Sequence, residues 1–522
     1  MAYNPNQPVV IFKDNVERTP GQEALRSNIM AAKVLGATVR TTLGPRGMDK
    51  MLVAKGSDDI VITNDGATIL HELAVEHPGA KLVVEVAETQ DDECGDGTTT
   101  AVVMIGSLME QAEKLIDTGV HPSIIAKGYN LGMNKALEIL DSLAIDVTPQ
   151  DKPMLLQIAK TAMTGKSIEN IMDQACEVIV DAVSSVAEEK DGKMLINEDD
   201  ILVKTKRADS MTAELVKGVL IDKIRPDSLM PKTIDGVRAA FLSGPLEITK
   251  TQAKSKIKIQ SADMLSAFSE AERARLKGMA DAFAAAGVNL VLCTKGIADP
   301  VQYYLAAQGI YALEFVAEKD CKYAAKATGG QMINKPEDLS EDVIGTAGKL
   351  EMTFISECKD PKAVTILLRG SAQHLVDELE RAVEDAKRVV QDVIEDGSYT
   401  IGGASVETEL ALRLREYAQT VGGRVQLAIE GYAKAFEVIP KTLAENSGFD
   451  TVDKVIDLRQ AHATGNKYAG LDVFTGKVVD MKEQGVVEPK RVKRQAIQSS
   501  SETAVILIRI DDMMVSKGAG QM

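Results

Sequence analysis

Three glycine-containing turns follow one another closely near the start of the chain. They occupy residues 41–50 (TTLGPRGMDK), 63–66 (TNDG) and 95–100 (GDGTTT). Glycine lets the backbone approach an anion, and a helix that opens after such a turn directs unpaired N–H groups and its positive dipole end at that anion. Asp65 and Asp96 lie inside two of the turns, where a carboxylate can hold the Mg²⁺ that accompanies a nucleotide. The cluster therefore predicts an ATP site.

Each turn taken alone has a second interpretation. The turn at 95–100 runs directly into a predicted helix, so its threonines can either meet phosphate or cap the helix, and both interpretations remain open. For 63–66 a simple turn is favoured, and the Gly and Pro residues of 43–47 are typical of any helix end.

The common nucleotide motifs are absent. The nearest approach to a Walker A loop, at 470–477, has five residues between its glycines where four are required, and Val478 replaces Ser or Thr. A G-x-G-x-x-G fingerprint is also missing. A general base must come from elsewhere, but Asp385 lies in a predicted helix crowded with acidic residues, where a solvated face is the favoured interpretation.

Composition excludes several classes of partner. The 522 residues include 60 Lys or Arg and 77 Asp or Glu, which gives a net charge of −17, and so acidic a chain has no electrostatic footprint for nucleic acid or anionic lipid. No apolar run approaches the ~20 residues of a membrane helix, and the N-terminus lacks a secretory signal. Five scattered cysteines argue against disulfides and zinc. We expect a cytoplasmic protein without nucleic-acid or membrane partners.

Hydrophobic periodicity predicts helices in the first and last parts of the chain and an α/β region between them. A prior of roughly one domain per 150 residues gives about three domains, and the similar ends suggest one helical domain built from both termini. Alternating strand and helix patterns between about 213 and 365 are typical of an α/β layer domain. Near the C-terminus the patterns predict a turn at 397–403, strands at 472–474, 477–479 and 504–510, and a helix at 488–500.

A polar strand-like stretch at 249–260 leads into an amphipathic helix inside the α/β region. The apolar residues of this helix, Leu265, Phe268, Leu276, Met279 and Phe283, follow a helical spacing. Periodicity favours a helix packed on its own domain. The functional alternative is a protruding arm that meets a partner or covers a cavity.

Taken together, the motifs resemble those of the group II chaperonins, the family of the archaeal thermosome and the eukaryotic cytosolic chaperonin. The resemblance starts at the three turns and covers essentially the whole chain. It continues, in the family's order, at 164–166 (TGK), 215–220 (LVKGVL), 382–386 (AVEDA), 470–473 (GLDV), 485–489 (GVVEP) and 491–497 (RVKRQAI).

The resemblance implies a multi-domain α/β and α architecture, the chaperonin fold. It has a mainly helical equatorial ATPase domain, a hinge-like intermediate domain, and an α/β apical domain with a helical lid protrusion at about 246–285. The implied limits are 1–146 and 401–522 for the equatorial domain, 147–212 and 366–400 for the intermediate domain, and 213–365 for the apical domain.

The resemblance also implies a role for each motif residue. Asp385 activates the attacking water, Asp65 lies beside that water and the γ-phosphate, and Lys166 senses the γ-phosphate. Asp96 ligates Mg²⁺. The residues around the phosphates are Leu43, Gly44, Pro45, Gly95, Asp96, Gly97, Thr98, Thr99 and Thr100. Those near the ribose and base are Gly402, Gly403, Asp472 and Glu488.

The implied function is ATP-dependent folding of non-native polypeptides. ATP or ADP and Mg²⁺ are the implied cofactors, with K⁺ as a further candidate, and the partners are other subunits in a homo- or hetero-oligomeric hexadecameric double ring. One departure concerns Ala404, since the family usually has glycine there, and a methyl group can crowd the nucleotide or a turn that needs positive φ. A passive ring that binds ATP poorly, and a metabolic kinase or ligase, are the alternative functions.

Overall fold

The computed structural model describes residues 16–53, 60–166, 169–221, 223, 226–248, 262–351, 354–358 and 362–516. The chain divides into two compact units. Unit 1 comprises residues 1–169 and 384–522, and unit 2 comprises residues 170–383. The three-domain division implied by the resemblance uses different limits and stays a prediction. Within the described residues, no helix combines the length and the apolar character that a bilayer crossing needs.

The first part of unit 1 is mainly helical and is built around one central helix, α4. Residues 101–109 of α4 are buried without a break, and a helix that is apolar on all sides belongs in a core. The elements of this part are β1 (Val16–Pro20), α1 (Gln22–Arg40), β2 (Lys50–Val53), β3 (Ile60–Thr63), α2 (Gly66–Glu72), α3 (Pro78–Cys94), α4 (Thr98–Asp117), α5 (Pro122–Leu143), β4 (Ile145–Asp146) and α6 (Lys152–Met163).

Unit 2 is an α/β unit with a seven-stranded mixed sheet in the order β12-β11-β10-β14-β15-β9, with β13 also beside β10. A second sheet has the order β7-β16-β8. The elements are α7 (Met172–Val186), β5 (Glu188–Lys190), β6 (Lys193–Leu195), β7 (Ile201–Arg207), β8 (Thr212–Val216), β9 (Val219–Leu220), β10 (Thr233–Leu242), α8 (Ala262–Ala285), β11 (Leu290–Cys293), α9 (Asp299–Ala307), β12 (Tyr311–Leu313), α10 (Glu318–Thr328), β13 (Met332–Ile333), β14 (Gly345–Glu351), β15 (Phe354–Ser356) and β16 (Val364–Gly370). Helix α11 (Gln373–Asp396) contributes residues to both units.

The stretch predicted as an arm is described only in part, because residues 249–261 lie outside the described residues. Leu246 forms a single parallel bridge with Ile297, so no strand begins there. Along α8, residues 266–275 are all exposed, whereas Leu276 and Phe283 are buried in the unit 2 core. The second half of α8 is therefore packed on its own unit, whereas residues 266–275 are exposed.

The second part of unit 1 returns to helices, with a three-stranded sheet in the order β20-β17-β4. Its elements are β17 (Ser398–Ile401), α12 (Ser405–Val421), α13 (Gly423–Ala435), α14 (Val438–Asn446), α15 (Thr451–Ala463), β18 (Ala469–Leu471), β19 (Val478–Asp480), β20 (Val487–Pro489), α16 (Lys490–Arg509) and β21 (Asp512–Ser516). Strand β21 pairs antiparallel with β1, so the two ends of the described chain meet.

Three of the C-terminal predictions were wrong. Residues 398–401 form a fully buried strand rather than a turn, because their aromatic and β-branched side chains suit a sheet. The apolar run at 504–510 continues α16 to Arg509 instead of forming a strand; a short apolar run fits a buried strand and a buried helix equally well. The first of the two short strands ends at Leu471, since the side chain of Asp472 caps the following turn.

Candidate active site

Unit 1 contains a cavity of about 640 Å³, a size typical of small-molecule sites, which occupy roughly 300–1,000 Å³. The cavity brings together the predicted site residues Leu43, Gly44, Pro45, Asp65, Gly95, Asp96, Gly97, Thr98, Thr99, Thr100, Lys166, Asp385, Gly403, Asp472 and Glu488. Gly402 is not part of the wall. It lies behind Glu488, since a Cβ on Gly402 would come within 2.5 Å of the Glu488 Oε1.

The turn at 95–100 joins the end of α3 to the start of α4. Gly95 and Gly97 have φ values of +66° and +82°, in the left-handed region that glycine adopts without steric cost. The amide of Gly97 donates to Oδ1 of Asp96 at 2.6 Å, which fixes that carboxylate beside the helix start. The unpaired amides and positive dipole end of α4 therefore lie at the cavity wall, an arrangement that suits a phosphate.

Asp65 links the turn at 63–66 to the start of α4. Its Oδ2 accepts a hydrogen bond from the Thr68 amide at 2.7 Å and so caps α2, and its Oδ1 accepts one from the Thr98 hydroxyl at 3.0 Å. Close packing requires the glycine that follows, because a Cβ on Gly66 would lie 2.7 Å from Thr99 Oγ1. The Asp65 carboxylate is therefore held in one orientation.

The turn at 41–50 is held by a residue that sequence patterns did not indicate. The Asn446 side-chain amide donates to the backbone carbonyls of Leu43, at 2.9 Å, and Arg40, at 3.1 Å. On the other side the backbone of Pro45 lies so close to Gly165 that a Cβ there would approach the Pro45 Cα to 2.8 Å. Asn446 is not part of any recognisable motif. It reaches this turn only because it lies at the end of α14.

An ion pair between Lys166 and Asp385 forms part of the cavity wall. Their side chains are only 15% and 19% exposed. Burial raises the pKa of Asp385 to about 7, against the opposing effect of Lys166 and with a further upward contribution from Asp65. Burial lowers the pKa of Lys166, but the neighbouring carboxylates outweigh it, so the net shift is upward. Lys166 thus stays charged while Asp385 can exchange a proton near neutral pH.

A buried cluster of charged groups lies at another part of the wall. Lys493 contacts Glu407 at 2.5 Å and Glu488 at 2.8 Å, and their side chains are 8%, 4% and 20% exposed. Burial raises the pKa of Glu488, although Lys493 opposes the shift. Lys493 and Glu407 were not among the predicted residues. Lys493 belongs to the 491–497 motif, but nothing in that motif indicates which partners it has.

The loop between β18 and β19 closes a further side of the cavity. Asp472 accepts a hydrogen bond from the Phe474 amide at 2.9 Å and from the Thr475 hydroxyl at 2.5 Å. Burial tends to raise the pKa of Asp472, but these hydrogen bonds outweigh it and lower the pKa overall. The exposed Phe474 ring lies 5.3 Å from the Arg46 guanidinium, a cation–π contact between this loop and the turn at 41–50.

Ala404 lies at the wall with a φ of +63° and is the N-cap of α12. The turn thus keeps the positive φ for which glycine is better suited, and the methyl group is buried at 2% exposure. An L-residue in this conformation carries strain of roughly 1–2 kcal/mol. The departure noted in the sequence is therefore accommodated by backbone strain rather than by a different turn.

The donor set of the cavity suits Mg²⁺ bound together with phosphate. Among the residues that the structure describes, no group of three or more His, Cys, Asp or Glu side chains can hold a metal ion by itself. Mg²⁺ usually takes one or two protein carboxylates and completes its shell with phosphate oxygens and water. Asp96 and Asp65 supply carboxylates beside the α4 N-terminus. The fold and the cavity together define a nucleotide-binding protein without a P-loop.

Comparison with known proteins gives one consistent result. The model of the TCP-1/cpn60 chaperonin family matches residues 35–518. The chain is 48% identical to thermosome subunit beta of Archaeoglobus fulgidus and 47% identical to the thermosome subunit of Methanopyrus kandleri, in each case over 99% of this chain and 96% of the relative. The open state monomer of a group II chaperonin from Methanococcoides burtonii superposes with a TM-score of 0.60 at 41% identity, covering 80% of this chain and 100% of that one.

The chain belongs to the TCP-1/cpn60 chaperonin family, and its similarity to archaeal thermosome subunits makes it a group II chaperonin. The resemblance seen in the sequence and the multi-domain chaperonin fold are thereby confirmed. The protein is an ATP-dependent, ring-forming chaperonin subunit whose ATPase activity drives the folding of client proteins.

Proposed function

We propose that ATP binds in the unit 1 cavity with Mg²⁺ at Asp96, and that Asp385 acts as the general base for its hydrolysis. The observation that carries the proposal is the Lys166–Asp385 ion pair in the same wall as the α4 N-terminus. A base is most effective when its pKa lies near the working pH, and the pKa of Asp385 is about 7. Bound Mg²⁺ would neutralise phosphate charge as water bonds to the γ-phosphorus and ADP leaves.

The other residues of the cavity wall have separate roles in binding and hydrolysis. The fixed carboxylate of Asp65 orients the attacking water, and Lys166 pairs with the γ-phosphate and so distinguishes ATP from ADP. The residues that enclose the phosphates are Leu43, Gly44, Pro45, Gly95, Gly97, Thr98, Thr99 and Thr100. Those nearest the ribose and base are Gly402, Gly403, Asp472 and Glu488. K⁺ is a further candidate cation at the phosphates.

ATP hydrolysis would drive the closure of a built-in lid over a bound client. The first half of α8 supports this role, because residues 266–275 are exposed and Phe268 presents an aromatic ring at 56% exposure. A helix segment that is exposed along its length and carries an aromatic ring is available to contact a client or a neighbouring lid segment. In this proposal unit 2 supplies the apical domain, and the equatorial, intermediate and apical limits are those implied by the resemblance.

The proposed assembly is a hexadecameric double ring in the cytoplasm, with one subunit type or several. The hairpin of β2 and β3 supports contact with other subunits, since Met51, Val53 and Ile60 are more than half exposed. A hairpin with an apolar surface is normally stable only when that surface is covered.

ATP turnover and particle mass, measured on one purified sample, test the proposal. We expect a particle of about sixteen subunits that hydrolyses ATP and loses turnover on Asp385→Ala. A large ring without turnover would contradict the proposed site and would point to the strained Ala404 turn as an obstacle to nucleotide binding. A small active species would contradict the assembly. Deleting residues 250–272 should leave turnover intact and abolish protection of an enclosed client from protease.

A further inference from the structure

Arg388 connects the helix that carries Asp385 to the loop that carries Asp96. Arg388 lies three residues after Asp385 on α11, so the two side chains share a helix face. Its guanidinium Nη1 donates to the backbone carbonyl of Asp91, in the last turn of α3, at 2.5 Å. Its aliphatic stem packs on Gly95, where a Cβ would come within 2.7 Å of the Arg388 Cβ.

The carbonyl that Arg388 contacts is hydrogen-bonded to the first residue of the glycine turn. The Asp91 carbonyl also accepts the Gly95 amide at 2.8 Å, the hydrogen bond that ends α3 and starts the turn. The last carbonyls of a helix lack intrahelical partners, and a cation there is favoured by the helix dipole. Arg388 therefore holds the end of α3 and packs on Gly95, the residue that precedes Asp96.

We propose that Arg388 is a positioning residue for ATP hydrolysis, which sets the separation between Asp385 and the Asp96 loop. The proposal rests on the role of Asp385 proposed above. Arg388 is not one of the residues that line the cavity, whereas Asp385 and Asp96 both are. Arg388 therefore acts on the reaction indirectly, by setting the position of Asp385 relative to the Asp96 loop.

If Arg388 only stabilised the fold of α11, it would share that role with Arg491, which also binds this helix. Arg491 of α16 binds Asp392 at 2.7 Å, Glu395 at 3.1 Å and Asp396 at 2.5 Å, all beyond Arg388 on α11. This anchor holds the end of α11 without Arg388. Loss of Arg388 should therefore leave the helix folded and loosen it at Asp385, where displacements of about 1 Å can cost 100-fold in rate.

The test compares Arg388→Met, which keeps the stem but removes the donor, with Arg388→Lys, which retains one donor. Arg26→Met is the matched control, because Arg26 forms an exposed pair with Asp117 far from the cavity. In assembled rings we expect Arg388→Met to lower kcat about 10- to 100-fold with little change in KM for ATP. Arg388→Lys should recover part of the loss, and Arg26→Met should leave both constants unchanged.

The same substitution in the Asp385→Ala background separates positioning from stability. If Arg388 acts through Asp385, Arg388→Met should cause no further loss of turnover there. An equal loss in both backgrounds, or unchanged kcat in the single variant, would overturn the inference. If Asp385→Ala itself retains full turnover, the proposed base is wrong and the inference falls with it; if only Arg388→Met retains full turnover, the base survives and the inference alone fails.

Discussion

Lys166 and Asp385 form an ion pair on the wall of the nucleotide cavity although 219 residues separate them in the chain. The Asn64 side chain joins the same region, since it donates to the Gly165 carbonyl at 3.1 Å. The TGK motif, the NDG turn and α11 therefore meet at one point. A sequence pattern shows each of them separately, and only the fold makes them one site.

Removing the carboxylate of Asp385 should slow hydrolysis and spare binding. General bases typically contribute about 10²- to 10⁴-fold, so we expect Asp385→Ala to lower kcat at least 100-fold. ATP affinity, measured by calorimetry, should change little, because the phosphate-facing amides of α4 remain. Asp377→Ala is the control, as Asp377 lies earlier on α11, does not line the cavity, and accepts a hydrogen bond from the Gln373 side chain. Equal turnover in the two variants would exclude Asp385 as the base.

The pH profile gives an independent prediction for the same residue. A base must be ionised to accept a proton, and the pKa of Asp385 is raised to about 7. The wild-type kcat/KM, which reports on the free enzyme, should therefore rise with pH through about 7 and level off above it. The residual kcat/KM of Asp385→Ala should lack this inflection. If the inflection persists in the variant, another titrating group must cause it.

Loss of the Asp96 carboxylate should weaken Mg²⁺ binding without destabilising helix α4. We expect Asp96→Asn to weaken Mg-ATP binding at least about 10-fold, since a neutral amide is a poor ligand for a hard cation. The neighbouring Asp92 is exposed and outside the cavity, so Asp92→Asn should bind normally. Titration of nucleotide at several Mg²⁺ concentrations checks the assignment, which would fail if both variants bound Mg-ATP like the wild type.

The sequence predicts the glycine turns well and the residues behind them poorly. Gly95 and Gly97 are local signals, because positive φ and close helix approach need glycine whatever the rest of the chain does. Asn446 and Lys493 act through partners hundreds of residues or several elements away, and no local pattern specifies such contacts. The apolar end of α16 was misassigned for a related reason: Ile506 is apolar although it is exposed, so the sequence does not show the helical burial pattern of this segment.

The strained turn at Ala404 predicts an asymmetric response to substitution. In Ala404→Gly, relief of roughly 1–2 kcal/mol of strain is offset by the lost methyl burial and the greater backbone entropy of glycine in the unfolded chain, so stability should change by less than about 1 kcal/mol. Ala404→Val should destabilise by more than about 2 kcal/mol, because β-branched residues avoid positive φ. Thermal midpoints at one scan rate check both. A glycine variant with a 10-fold gain in turnover would show that the methyl group obstructs the nucleotide.

The buried cluster around Lys493 should be sensitive to the loss of its one cation. Lys493→Met leaves Glu407 and Glu488 facing each other without a cation, and breaking a buried pair in this way typically costs about 3–5 kcal/mol. Because Lys493 also holds Glu488 in the cavity wall, KM for ATP should rise together with the loss of stability. Thermal unfolding and steady-state kinetics on the same preparation measure the two effects.

A second substitution tests whether unpaired charge causes the lost stability of Lys493→Met. Adding Glu407→Gln to Lys493→Met removes one of the two uncompensated carboxylates, so the double variant should be more stable than Lys493→Met alone. It should not recover ATP affinity, because Glu488 remains without the cation that holds it. If the double variant were no more stable than Lys493→Met, the lost stability would have to come from packing around the lysine stem rather than from unpaired charge.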